Sequence, residues 1–129
     1  MDFIGVLTVA SLFGGMLLFA IGFGSMSFML LEGKIARKFV RNTFPYFYLW
    51  VLANSFLAAL VCWFVNKTAC ILLVIVFLTT IPNRQMLMPA INYAADTQNA
   101  QKFRNLHGLS ILITLTHIVL TGSCLMYLT

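Results

Sequence analysis

Apolar residues fall into four long blocks along this chain. The first runs through residues 3–31, the second through about 45–66, the third from 69 to about 88, and the fourth through about 103–128. A helix needs about 20 predominantly apolar residues to cross the hydrocarbon of a bilayer, and each block is long enough. The pattern predicts an all-α chain: one integral membrane domain, residues 1–129, folded as an up-down bundle of four transmembrane helices. Met1-Asp2 carries no basic leader, and the first block exceeds a signal-peptide core. The block therefore reads as a retained anchor. Pro45 suits a helix start, where no amide donor is missed. Pro82 and Pro89 predict a third helix kinked or broken near those residues.

Within the blocks, polar and small residues form two stripes. His107, Ser110, Thr114, His117, Thr121 and Cys124 are spaced 3, 4, 3, 4, 3, which keeps them on one helical face. Imidazoles need partners that lipid does not offer, so this face is expected to point into the bundle. In the first block, Thr8, Ser11, Gly15, Gly22 and Ser25 share a similar spacing. Small residues allow close backbone approach, so Gly15 and Gly22 are expected to pack against another helix.

Composition narrows the class. Of the 129 residues, 61% are hydrophobic and 9% charged. A soluble domain is about half apolar and a quarter charged, so a soluble enzyme and a nucleic-acid binder are both excluded. The formal net charge is +5. Its cations concentrate in two connectors: Lys34, Arg37, Lys38 and Arg41 between the first and second blocks, and Lys102 with Arg104, beside Arg84, between the third and fourth. The middle connector, Asn66-Lys67-Thr68, holds one. Basic connectors remain cytoplasmic, so both termini are expected outside, in a bacterial cytoplasmic membrane. The lipid bilayer is the one partner this requires. A homo-oligomer or a larger membrane complex stays open as a second.

Three groups of residues carry candidate chemistry. Asn83, Arg84, Asn92, Asp96, Arg104 and His107 gather where the third and fourth spans meet. Interrupted helices with ionisable groups are how membrane proteins build solute sites, although polar residues also belong at an ordinary interface. Asp96 or Asn92 is expected to hold the His107 imidazole, or Asp96 to cap the fourth helix. His107 and His117 stand about 15 Å apart on one helix, too far to share a metal ion. His117, near mid-membrane, is the more unusual of the two. Cys62, Cys70 and Cys124 lie toward the opposite end, and thiolates near Met126 suit Cu(I). Cysteine is equally a small apolar filler.

The run from Pro82 through Pro89 to Asn92, then Asp96, then Phe103-Arg-Asn-Leu-His-Gly-Leu-Ser110 resembles the transmembrane protein 205-like family. So do Phe44-Pro45-Tyr46-Phe47 after a basic connector and the Gly-rich first block. The resemblance implies a four-helix membrane domain whose biochemical role is not established, with Pro89, Asn92, His107 and Ser110 as its motif positions. Thr114 stands where that family commonly has an asparagine. The architecture is similar, at the level of fold only, to copper-resistance membrane bundles and haem-dependent protoporphyrinogen oxidases. The expectation is a non-enzymatic membrane protein, accessory or small-solute-handling, with no cofactor. The alternative is a haem- or copper-dependent redox protein using the histidines of the fourth span.

Overall fold

The computed structural model describes residues 2–129. It contains four long helices: α1 Phe3–Leu30, α2 Gly33–Trp63, α3 Lys67–Asp96 and α4 Ala100–Leu128. All four are long and apolar enough to cross a membrane, and the chain is an integral membrane protein. The connections are only two or three residues long, which forces successive helices antiparallel. Each helix packs on the next, and α4 closes the ring against α1.

The outside of the bundle is as apolar as the inside. Leu57, Leu60, Ile71, Leu78, Leu112 and Val119 are all exposed, as lipid-facing residues should be. The buried positions recur at spacings of three and four. They are Gly5, Val9, Leu12 and Met16 on α1; Val51, Ser55, Ala58 and Cys62 on α2; Ala69, Leu73, Val76, Thr80 and Asn83 on α3; and His117, Thr121 and Cys124 on α4. That period suits helices packed with a shallow left-handed crossing.

Several sequence expectations require correction. Pro45 does not start α2. It lies inside that helix, which begins at Gly33, so the basic connector between the first two spans shrinks to Leu31 and Glu32 and its cations ride on helix. At about 1.5 Å per residue, α2 is about 46 Å long against about 30 Å of hydrocarbon. The excess of about ten residues matches the charged stretch before Phe44. The kink or break expected in α3 near Pro82 and Pro89 is there as a local interruption of the α pattern. A π-helical segment, Asn83–Leu87, lies between Pro82 and Pro89, and the Met88 amide donates to the Asn83 carbonyl five residues back. Widening the turn accommodates prolines that cannot donate, and the helix continues to Asp96. A second π segment, Leu18–Phe23, interrupts α1.

The small-residue stripe of α1 is not its core face. Leu18, in the middle of it, is 70% exposed, and Ser11 and Ser25 are exposed as well. Gly15 does sit against another helix, because a β-carbon there would run into the Trp50 ring of α2. Gly22 does not: an added β-carbon would meet only Leu18 of its own helix, at 3.5 Å. The most extensive contact is instead between α2 and α3, where Ala58, Ala59, Cys62, Ala69 and Cys70 are buried and small side chains let the backbones come close. Gly122 of α4, under the Phe13 ring, is a packing glycine the stripe did not flag.

Candidate functional site

The polar face of α4 divides into two sites as it descends through the bundle. The deeper one centres on His117, which is 4% exposed. Its Nε2 lies 2.7 Å from Thr79 Oγ1 of α3. The same hydroxyl lies 2.7 Å from the Ile75 carbonyl, so its one proton serves either that carbonyl or the imidazole, and the tautomer of His117 follows the choice. One turn on, Thr121 returns its hydroxyl to the His117 and Ile118 carbonyls, both at 3.0 Å. Asn83 on α3 is 2% exposed, and neither polar atom of its side chain has a partner among the described residues.

The second site is a cavity of about 660 Å³ at the charge-rich end, between α2, the last turns of α3 and the first turns of α4. Its layers follow from helix register. On α2, Arg37, Arg41, Phe44 and Tyr48 are spaced 4, 3, 4 and share a face, running from the mouth inward. On α4, Phe103, His107 and Ser110 run the same way; on α3, Met88, Asn92 and Asp96 run back toward the mouth. Arg41 and Asp96 meet at the rim, where the two guanidinium nitrogens donate to the two carboxylate oxygens. At the floor, Tyr48 Oη and Ser110 Oγ are 3.2 Å apart. Seven residues separate Arg41 from Tyr48, which is about 10 Å of depth.

Of the candidates raised from sequence, Asn92, Asp96, His107 and Ser110 converge on this cavity. Arg84 does not reach it; its Nε donates instead to the Pro45 carbonyl, at 3.2 Å. Arg104 is exposed and outside the lining. Neither Asp96 nor Asn92 holds the His107 imidazole: Asp96 is engaged by Arg41, and His107 stacks on Phe103 with the planes 6° apart and centroids 5.4 Å apart. Asp96 does not cap α4 either; the Asn99 side chain does, accepting from the Lys102 amide.

Sequence reasoning missed Arg37, Lys38, Arg41, Phe44 and Tyr48 as lining residues. The 4, 3, 4 spacing of Arg37, Arg41, Phe44 and Tyr48 was present, but a helix begun at Pro45 hides it. The three cysteines are buried and free. The Cys70 thiol reaches the Ala59 carbonyl at 3.3 Å and the Cys124 thiol the Ala69 carbonyl at 3.5 Å, each tying two helices together. Among the described residues, no group of three or more His, Cys, Asp or Glu side chains is arranged to hold a metal ion.

Comparison with known families gives one match. A domain of unknown function, DUF4149, is found over residues 7–100, which takes in the first three helices and the α3 wall of the cavity. It stops short of His107 and Ser110. Neither a curated protein nor a solved structure matches the chain.

Proposed function

Because the chain belongs to the DUF4149 family, whose function is unknown, we propose a role from the site itself: a non-enzymatic membrane protein that handles a small solute at its charge-rich end. One observation carries this reading. A cavity of ligand size, complete within one chain, is lined by convergent polar side chains on three helices. Cavities of roughly 300–1,000 Å³ with apolar walls and a few placed polar groups are the usual form of small-molecule sites. By the distribution of cations, this mouth faces the cytoplasm and both termini lie outside, in a bacterial cytoplasmic membrane. The kinship proposed to the transmembrane protein 205-like family is consistent with this placement, since three of its four motif positions, Asn92, His107 and Ser110, line the cavity.

A thermal-shift screen of purified protein against amines, sugars, phosphates and aliphatic acids tests the reading. At least one class should raise the melting temperature of the parent protein and leave Ser110→Phe, whose ring fills the floor, unmoved. Stabilisation by none of them would remove the proposal. An absorption spectrum and elemental analysis of the same preparation separate it from a haem- or copper-dependent redox protein: a Soret band or stoichiometric copper would replace the solute-handling reading.

A further inference from the structure

We infer that the cavity receives an anionic amphiphile, an apolar body carrying a phosphate or carboxylate head, and that Asp96 occupies on Arg41 the place the head would take. The inference rests on the solute-handling reading and specifies its ligand. Three cations, Arg37, Lys38 and Arg41, face one carboxylate, Asp96, around the rim, so the mouth carries a net charge of +2. Below it Phe44, Met88, Ile91 and Phe103 make the apolar part of the wall, with Asn92 and His107 among them and the Tyr48–Ser110 pair at the floor. A free inorganic anion would satisfy the rim and leave the mostly apolar remainder of the cavity unfilled. An uncharged hydrocarbon would fill that space and leave the cations without a counter-charge. Only a molecule with both features is complementary throughout.

The rim also shows how a head would be held. Arg41 engages Asp96 through a fork of two parallel bonds, at 2.7 and 2.9 Å. This is the geometry by which guanidinium recognises carboxylate and phosphate alike. Both partners are substantially exposed, so the pair is a weak one that a stronger anion can exchange. Asp96 is then an internal competitor: it screens Arg41 while the cavity is empty and yields when a head arrives.

Binding of radiolabelled decyl phosphate to the protein in phosphatidylcholine nanodiscs, with empty discs as background, tests this. Saturable binding near one per chain is expected, with Ser110→Phe and Ala95→Trp each abolishing it. Circular dichroism and gel filtration keep the blocking variants interpretable. Arg41→Gln should weaken binding by about tenfold or more, the loss expected for a charge-assisted pair. Asp96→Asn should tighten it several-fold, because the competitor is gone. Anionic phosphatidylglycerol in the disc that competes with the probe would identify the head as a membrane lipid's; its failure to compete leaves a soluble amphiphile as the source. Inorganic phosphate competing as well as decyl phosphate would overturn the amphiphile. Equal saturable binding of decanol or decyltrimethylammonium, lost in Ser110→Phe, would overturn the anionic head and leave the solute-handling reading standing. No saturable binding by any of these probes would overturn the amphiphile and leave the solute-handling reading to the thermal-shift screen. An Asp96→Asn protein that binds as poorly as Arg41→Gln would overturn the role of Asp96 as competitor.

Discussion

Arg41 and Asp96, 55 positions apart in the chain, are joined by two parallel hydrogen bonds of 2.7 and 2.9 Å. The pair ties the charged beginning of α2 to the end of α3, across the mouth of the cavity. Ion pairs in contact with water add little to stability, because solvent screens the attraction and both side chains lose freedom. Asp96→Asn is therefore expected to leave the unfolding midpoint in detergent almost unchanged. A large drop would make the pair a structural tie.

Orientation is testable with little background, because all three native cysteines are buried. A cysteine introduced at position 67 should react with a membrane-impermeant maleimide in intact cells. One introduced at position 38 should react only after the membrane is opened. The reverse pattern would invert the topology and turn the cavity to the outside.

The two glycines of α1 should behave differently. Gly15→Leu drives a side chain into the Trp50 ring, and overpacking of this kind costs about 1–3 kcal/mol. Gly22→Leu meets only Leu18 of its own helix and should be close to neutral. Thermal denaturation of both variants in one detergent decides this, and equal losses would contradict the packing described.

Thr79→Val should destabilise the protein by about 1–3 kcal/mol, since it leaves the buried Nε2 of His117 without its hydrogen-bond partner. Thr79→Ser keeps the oxygen and should lie near the parent. If valine and serine at this position gave equal melting temperatures, the bond to His117 would carry no weight.

The turn between α3 and α4 offers a stabilising change. Gln98 has φ 57°. The Asn99 amide reaches the Ala94 carbonyl and the Gln98 amide the Ala95 carbonyl, a left-handed helix ending that glycine fills without strain. Relief of a conformation costing about 1–2 kcal/mol, less the extra freedom glycine gains when unfolded, predicts that Gln98→Gly adds about 0.5–1 kcal/mol. A lower melting temperature would show that the glutamine side chain does something more.

The four spans were legible because lipid demands long apolar runs, and the inward face of α4 from His117 onward because an imidazole and a hydroxyl mark it; His107, on the same stripe, is exposed. The core face of α1 was not legible. Val9, Leu12 and Met16 point inward while Leu7 and Leu18 point to lipid, and hydrophobicity cannot tell two apolar sides of a membrane helix apart. The cavity was half legible. Asn92, Asp96, His107 and Ser110 stood out as polar residues beside a membrane span, whereas Arg37 and Arg41 read as orientation signals. Their second role depends on α2 continuing through Pro45. Proline usually disfavours this inside a helix, but here it lies next to the charged, water-accessible turns. The pairing of Arg41 with Asp96 is set by the closing of the ring and has no local signature.

The π-helical segment Asn83–Leu87 works as a phase shifter along α3. Residues before it, Thr79 among them, are aimed at the His117 centre; residues after it, Asn92 and Asp96, are aimed at the cavity. Each residue of a helix accounts for about 100° of rotation and 1.5 Å of rise. Closing the segment into a uniform α-helix with no residue removed would leave the half of α3 before it in place. It would also turn Asp96 by about a quarter of a revolution, away from Arg41. The angular setting of the cavity wall is thus held by a single wide turn, and closing that turn at constant length is a larger perturbation than most substitutions in the wall itself.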